Sequence, residues 1–157
     1  RLQDGELMVT DCAAEWERYA TDVTRTFPVG GRFSPEQRAV YELVLKAQEA
    51  AIARVRPGVR WQELEDTARQ VIAEAGYGDY FIHGVGHFVG LDVHDPGLYD
   101  QPLPAGAVVT VEPGIYLPGK GIGVRIEDVV LVTPTGHEVL SRSIPKQVAE
   151  LEALTRP

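Results

Sequence analysis

The sequence feature that most constrains the fold is a helix start that lies between two strand-rich segments. Ser34 is a preferred N-cap residue, Pro35 suits the first helical position, and Gln37 completes a capping box. Apolar residues follow at helical spacing as far as Pro57-Gly58, a pair that ends helices. The pattern therefore predicts a long helix from Pro35 that buries one apolar face.

The segments on either side of this helix have strand and helix patterns of their own. A second helix is predicted from about Trp61 to Ala75, with Gly76 as its stop. Upstream, the segments from Glu6 to Asp11 and from Tyr19 to Phe27 predict an antiparallel hairpin. Further elements are predicted downstream, namely strands at Val108 to Glu112, Gly123 to Val132 and Glu138 to Leu140, and a short helix from Pro145 to Leu154. This order predicts an α+β fold in which helices cover a curved antiparallel sheet.

Length, charge and cysteine content narrow the class of protein. A chain of 157 residues with 44% hydrophobic residues is expected to form one domain with a core of its own. The net charge of −8 argues against a nucleic-acid partner, because such a surface repels phosphates. No apolar run is long enough for a membrane span, and nothing resembles a signal peptide. Cys12 is the only cysteine, which favours a reducing compartment, the cytoplasm.

Two aspartates in the predicted hairpin are the first candidate site residues. If the hairpin turns at Trp16-Glu17, Asp11 faces Asp22 across the two strands. Facing carboxylates repel each other and strand interiors disfavour aspartate, but a divalent cation between them would reverse the sign of the interaction. The alternative is that the turn lies elsewhere and that one aspartate stands in solvent at a strand end.

A histidine-rich segment from His83 to Asp95 is the second candidate. It contains His83, His87 and His94, among glycines that allow the backbone to approach a ligand closely. Imidazole is a common metal ligand and also serves in proton transfer. A lone histidine is more often a structural residue, but three histidines beside two aspartates favour a functional site.

Two glutamates in strand-like runs complete the candidate set. Glu112 ends one such run, and Glu127 lies inside another, where burial is costly unless the carboxylate is paired or binds a metal. Arg125 lies two residues before Glu127, on the same predicted strand face, and offers an ordinary ion pair as the alternative.

With Asp11, Asp22 and an imidazole, these glutamates form an oxygen-rich ligand set that suits Mn²⁺, Fe²⁺ or Co²⁺, with Zn²⁺ as a further option. Such a set exceeds what one ion needs, and two ions about 3.5–4 Å apart would use it.

Four motifs in this order resemble those of the pita-bread metallopeptidases, within them the aminopeptidase P and prolidase branch. They are TDVTRTF from Thr21 to Phe27, HGVGHFVGLDVHD from His83 to Asp95, TVEPGIY from Thr110 to Tyr116, and GVRIED from Gly123 to Asp128. The resemblance covers nearly the whole chain. It implies a pita-bread fold and a metal-dependent hydrolase, an Xaa-Pro aminopeptidase that releases the N-terminal residue from peptides with proline in second position. An Xaa-Pro dipeptidase (prolidase) is the close alternative, and a metal-free pita-bread binding module is the alternative from another class.

The resemblance also implies a set of ligands for two divalent metal ions. Mn²⁺ is the expected ion, and Co²⁺, Zn²⁺ or Fe²⁺ are the alternatives. Asp11 resembles the aspartate that binds one ion through both carboxylate oxygens. Asp22 and Glu127 resemble the two carboxylates that bridge the ions. His87 and Glu112 resemble the remaining ligands of the second ion.

Catalytic roles are implied in the same way for three residues. His83 and His94 match the histidines that contact the scissile peptide, and His94 is expected to donate to the developing oxyanion or to the proline side of the bond. Glu112 is expected to take and return a proton. Arg125 resembles the residue behind the ligands that orients their carboxylates.

Two departures from the family pattern affect these expectations. Relatives commonly read Asp-Ala-Gly-Ala where this chain has Asp11-Cys12-Ala13-Ala14. Relatives also carry an N-terminal domain and an earlier catalytic segment with a further active-site histidine. Residues 1–157 are therefore expected to be the C-terminal part of a catalytic domain that requires its upstream part and is inactive alone. Relatives further imply a homo-oligomer, either a dimer or a tetramer.

Overall fold

Helix α1 begins where the capping box places it. In the computed structural model, which describes residues 1–156, α1 spans Pro35–Ile52. The backbone N–H of Gln37 donates to Oγ of Ser34 at 3.2 Å, and the N–H of Ser34 donates to Oε1 of Gln37 at 2.8 Å. The helix ends before the predicted Pro57-Gly58, because the segment after Ile52 continues in tight turns.

Helix α2 spans Trp61–Glu74 and packs along α1. Its buried face is formed by Leu64, Ala68 and Ile72, as the helical period predicts. Gly76 follows with a φ of +85°, a left-handed conformation that glycine adopts without steric cost. The predicted stop of this helix is thus confirmed.

The N-terminal hairpin has a different register from the predicted one. Strand β1 (Leu7–Cys12) pairs antiparallel with β4 (Val23–Pro28), and the short strands β2 (Glu15–Trp16) and β3 (Tyr19–Ala20) form the tip. The tip turns at Glu17 and Arg18, both with positive φ, one residue later than predicted. Asp11 consequently pairs with Thr24 rather than with Asp22, which precedes β4. The predicted pairing of the two aspartates across the strands was wrong.

The C-terminal half contains two further antiparallel groups of strands. Strands β5 (Val108–Val111), β8 (Asp128–Thr133) and β9 (Gly136–Val139) form a sheet in the order β5–β8–β9. Strands β6 (Gly114–Leu117) and β7 (Ile122–Arg125) form a separate hairpin. The predicted strand from Gly123 to Val132 is therefore two strands, and β6 is a strand that the sequence pattern did not predict. The final helix, α3 (Val148–Leu154), begins later than the predicted Pro145.

The break between β7 and β8 connects the two halves of the fold. The backbone N–H of Glu127, which lies in this break, donates to the carbonyl oxygen of Thr24 in β4 at 3.0 Å. The helices cover the sheets, and fully buried side chains such as Tyr41, Leu64 and Ile115 fill the core between them. This arrangement confirms the predicted α+β class. Among the described residues, no helix combines the length and the apolar character needed to cross a membrane.

Candidate metal centre

The five predicted metal ligands come together although they lie on separate segments of the chain. Their ligand atoms form overlapping groups in which all atoms lie within 4.8 Å of one another. One group is Asp11, Asp22 and Glu127, and a second is His87, Glu112 and Glu127. Glu127 belongs to both groups, which is the position expected of a carboxylate that contacts two ions.

Glu127 is buried with half of its carboxylate unpartnered. The side chain is only 1% exposed, and its Oε2 accepts a hydrogen bond from Oγ1 of Thr24 at 2.7 Å. Its Oε1 is buried without a hydrogen-bond partner. Burial, followed by the negative charge of Glu112, raises the pKa of Glu127 to about 8. A buried carboxylate oxygen without a donor is costly, and a cation would satisfy it.

Arg125 does not form the ordinary ion pair with Glu127 that the sequence allowed. Its Nη2 lies 2.5 Å from Oδ2 of Asp11, and its Nε donates to Oγ1 of Thr24 at 3.1 Å. β7 ends at Arg125, so the two side chains do not share the face of one continuous strand. Arg125 therefore holds a proposed ligand in place and leaves Glu127 to the cluster.

Asp11 and Asp22 form a close pair of carboxyl groups despite the changed register. Burial, together with the hydrogen bond and charge of Asp11, raises the pKa of Asp22 to about 6. Burial also raises the pKa of Asp11, but the hydrogen bond from Asp22 and the charge of Arg125 outweigh it and hold this pKa below its ordinary value. In the absence of a cation, the proton of such a pair resides on Asp22.

His87 directs its Nε2 at the cluster. Its Nδ1 is 3.0 Å from the carbonyl oxygen of Phe88, which can only accept, so Nδ1 is the donor of this hydrogen bond. Its Nε2 lies 3.3 Å from Oε1 of Glu112 and 3.5 Å from Oδ2 of Asp22. A histidine whose Nδ1 is fixed by a backbone carbonyl and whose Nε2 faces carboxylate oxygens has the orientation of a metal ligand.

His83 lies at the edge of the cluster and is connected to it through Tyr116. Its Nδ1 is 2.8 Å from the carbonyl oxygen of Gly84, which places the ring proton there. The hydroxyl of Tyr116 lies 2.9 Å from Nε2 of His83 and accepts a hydrogen bond from Nη1 of Arg125 at 3.1 Å. A series of hydrogen bonds thus connects His83 through Tyr116 and Arg125 to the carboxylate of Asp11.

His94 stands in an open cleft above the ligands. Its ring meets that of His87 edge to face at a centroid distance of 4.1 Å. Its ligand atom also forms a third compact group with Asp22 and His87, so the geometry permits a ligand role besides the predicted contact with substrate. The cleft is lined on its other sides by residues such as Tyr99.

The histidine segment is held in position by a close backbone approach and by α2. A Cβ atom at Gly86 would lie 2.1 Å from the carbonyl oxygen of Thr110, so only glycine fits between the two histidines at this point. Arg69 on α2 donates to the carbonyl oxygens of Phe81 at 2.9 Å and His83 at 2.7 Å. The strand β5 and the helix α2 therefore fix the segment from both sides.

Thr24 and Tyr116 are two site residues that the sequence analysis did not assign. Thr24 is fully buried and connects Arg125 to Glu127 through its hydroxyl. Both residues lie inside motifs quoted above, yet a threonine or a tyrosine in a strand is ordinary. Only the three-dimensional contacts show that their hydroxyls face the carboxylates.

The fold is a set of antiparallel sheets covered by helices, and the sheets carry a cluster of carboxylates and histidines. This combination is typical of a metallopeptidase. Residues 1–134 match the metallopeptidase family M24, and the chain belongs to this family. It is 42% identical to the Xaa-Pro aminopeptidase of Haemophilus influenzae over 98% of this chain and 43% of that protein. It is 47% identical to the Xaa-Pro dipeptidase of Pyrococcus furiosus over 91% of this chain and 42% of that protein.

A solved structure supports the same relationship. The Pseudomonas aeruginosa aminopeptidase PepP superposes with a TM-score of 0.92 at 42% identity, over 98% of this chain and 42% of that one. The predicted resemblance and the pita-bread fold are thereby confirmed, and membership of a metallopeptidase family agrees with the predicted need for divalent metal ions. The chain spans about two fifths of the length of the curated relatives that it matches.

Proposed function

We propose that this chain carries the metal centre of an Xaa-Pro aminopeptidase, which hydrolyses the bond before proline in second position of a peptide. The observation that carries the proposal is the unpartnered Oε1 of Glu127, which is buried where the two groups of candidate ligands overlap. The relatives add the substrate class, since the Haemophilus influenzae and Pyrococcus furiosus proteins are named Xaa-Pro aminopeptidase and Xaa-Pro dipeptidase.

The proposed ligands of two divalent ions are those predicted from the family pattern. Asp11 would bind one ion, His87 and Glu112 the other, and Asp22 and Glu127 both. The donor set is four carboxylates and one imidazole, which favours Mn²⁺ and also accommodates Co²⁺, Fe²⁺ or Zn²⁺. When bound, such ions polarise a carbonyl oxygen and lower the pKa of water.

The protein's own side chains supply the proton transfers and the orientation of the substrate. Glu112 would accept a proton at its carboxylate and return it to the leaving amine, and Oγ1 of Thr110 orients that carboxylate by donating to Oε1 at 3.0 Å. His94, in the open cleft, would donate to the developing oxyanion or to the proline side of the bond. His83 would contact the scissile peptide, with its ring held by the hydroxyl of Tyr116.

Proline in second position explains why a dedicated enzyme is needed. The nitrogen of proline carries no hydrogen, so the scissile bond offers a peptidase no N–H donor by which to hold it. A site that recognises the proline ring would replace that contact. An Xaa-Pro dipeptidase is the second candidate, favoured by the match to the Pyrococcus furiosus protein at 47% identity.

Hydrolysis by the full-length protein tests the proposal. We would supply Mn²⁺ and peptides of two, three and more residues with proline in second position, and a matched series with alanine there. Release of the first residue from the longer proline peptides is expected. Cleavage of dipeptides alone would favour the dipeptidase. No hydrolysis together with no bound metal by elemental analysis would refute the enzyme and favour a metal-free binding module.

We infer that residues 1–157 form the C-terminal part of a catalytic domain, that the whole protein is a homo-oligomer, and that it resides in the cytoplasm. Light scattering of the full-length protein would give the oligomeric state, and cell fractionation the location.

A further inference from the structure

Arg25 and Asp128 form a buried ion pair beside the ligand cluster. Nη2 of Arg25 lies 2.8 Å from Oδ1 of Asp128, and the two residues are 3% and 0% exposed. Asp128 follows the candidate ligand Glu127 in sequence, and Arg25 follows Thr24, whose hydroxyl donates to Glu127. A buried ion pair is weak evidence for stabilisation, since the cost of desolvation offsets its attraction. The hydrogen bonds that Arg25 and Asp128 form with their neighbours indicate another role for the ion pair.

All five N–H groups of the Arg25 guanidinium are used. One donates to Asp128, and the others donate to backbone carbonyl oxygens: those of Thr24 at 2.9 Å, Glu127 at 2.5 Å, Ile144 at 3.0 Å and Pro145 at 2.8 Å. The guanidinium is a rigid planar fork, so its contacts fix these carbonyls relative to one another. Arg25 thus ties β4 to the backbone of Glu127.

The carboxylate of Asp128 also has all of its hydrogen-bond positions filled. Its Oδ1 accepts from Arg25 and from Oγ of Ser141 at 2.7 Å, and its Oδ2 accepts from Nε2 of Gln48 at 2.9 Å and Nζ of Lys146 at 2.7 Å. A carboxylate has about four acceptor positions, and all are occupied by protein donors. Asp128 therefore anchors Arg25 and has no oxygen to offer a cation.

These contacts hold the backbone of Glu127 and one of its carboxylate oxygens, and they leave Oε1 without a hydrogen-bond partner. Its N–H donates to the carbonyl of Thr24 at 3.0 Å, its carbonyl accepts from Arg25, and its Oε2 accepts from the Thr24 hydroxyl. We propose that the Arg25–Asp128 ion pair positions Glu127, so that Oε1 is held toward the other candidate ligands. This inference rests on the proposed metal centre and assigns Arg25 and Asp128 a role in metal affinity.

Mn²⁺ binding measured by electron paramagnetic resonance tests this role in the purified full-length protein. Arg25→Lys keeps the charge but loses the fork, and Ser141→Ala removes one donor to Asp128. We expect the Mn²⁺ Kd of Arg25→Lys to rise about 10- to 100-fold, as for other residues that orient metal ligands, and that of Ser141→Ala to rise less. Exchange of the Glu127 amide hydrogen in metal-free protein should become faster in both variants.

The control is Ile72→Ala, a buried substitution on α2 that lowers stability by creating a cavity. Its Mn²⁺ affinity should match that of the unmodified full-length protein. Unchanged affinity and amide exchange in folded Arg25→Lys, or equal weakening in Ile72→Ala, would overturn the positioning role. If Arg25→Lys does not fold, Ser141→Ala decides the question by the same two measurements. If the unmodified full-length protein binds no Mn²⁺, the metal centre itself is overturned, and this inference with it.

Discussion

The substitution Glu127→Gln should stabilise the metal-free protein at neutral and alkaline pH. Burial raises the pKa of Glu127 to about 8, against an ordinary value of 4.5. The native state therefore binds more protons than the unfolded state between these two pH values. By linkage, the stability that Glu127 contributes is full below pH 4.5, falls as pH rises through the window, and is lost above about pH 8. Glutamine keeps the shape of the side chain and does not ionise.

The magnitude follows from the same two values. At about 1.36 kcal/mol per pKa unit, the gap between 4.5 and about 8 corresponds to at most about 5 kcal/mol at pH 8. Relaxation of the buried site and the nearby acidic groups reduces this figure, so we expect a gain of about 2–3 kcal/mol in unfolding free energy for metal-free Glu127→Gln at pH 8. At pH 5 the two proteins should differ little.

Urea unfolding in EDTA at pH 5, 7 and 8 measures this difference directly. Adding Mn²⁺ at about 100 times its Kd should then stabilise the unmodified protein by about 2.7 kcal/mol and the variant by much less. Glu138→Gln, an exposed substitution on β9, serves as the control and should show neither effect. The reasoning fails if the gain of Glu127→Gln is independent of pH, or if Mn²⁺ stabilises both proteins equally.

Three further substitutions test other parts of the site. Thr24→Val removes the hydroxyl that donates to Glu127, and it should lower stability by about 1–3 kcal/mol in urea unfolding and weaken Mn²⁺ binding in calorimetry. Gly86→Ala forces a Cβ against the carbonyl of Thr110, and circular dichroism should show a lower Tm. In the full-length protein, His94→Ala should reduce kcat about 10²-fold with unchanged Mn²⁺ stoichiometry, whereas a lower stoichiometry would make His94 a ligand.

Much of the secondary structure could be predicted, because its causes are local. The capping box at Ser34, the helical period of α2 and the glycine at its end lie within a few residues of the structure they specify. Errors occurred where the cause was not local. The turn of the hairpin lies one residue later than predicted. The strand predicted through Glu127 is interrupted there, because the backbone N–H of Glu127 donates to Thr24 in β4.

The candidate site shows the same division. The sequence by itself determined which residues could bind metal. Carboxylates in apolar strand segments are costly to bury unless they are paired or bind a cation, so their positions indicate a site. The sequence left open whether Arg125 pairs with Glu127, and it gave Thr24 no role. Only the tertiary structure decided that Arg125 pairs with Asp11 and that Thr24 donates to Glu127. Those contacts join strands far apart in the chain, and burial and register between such strands depend on packing of the whole fold.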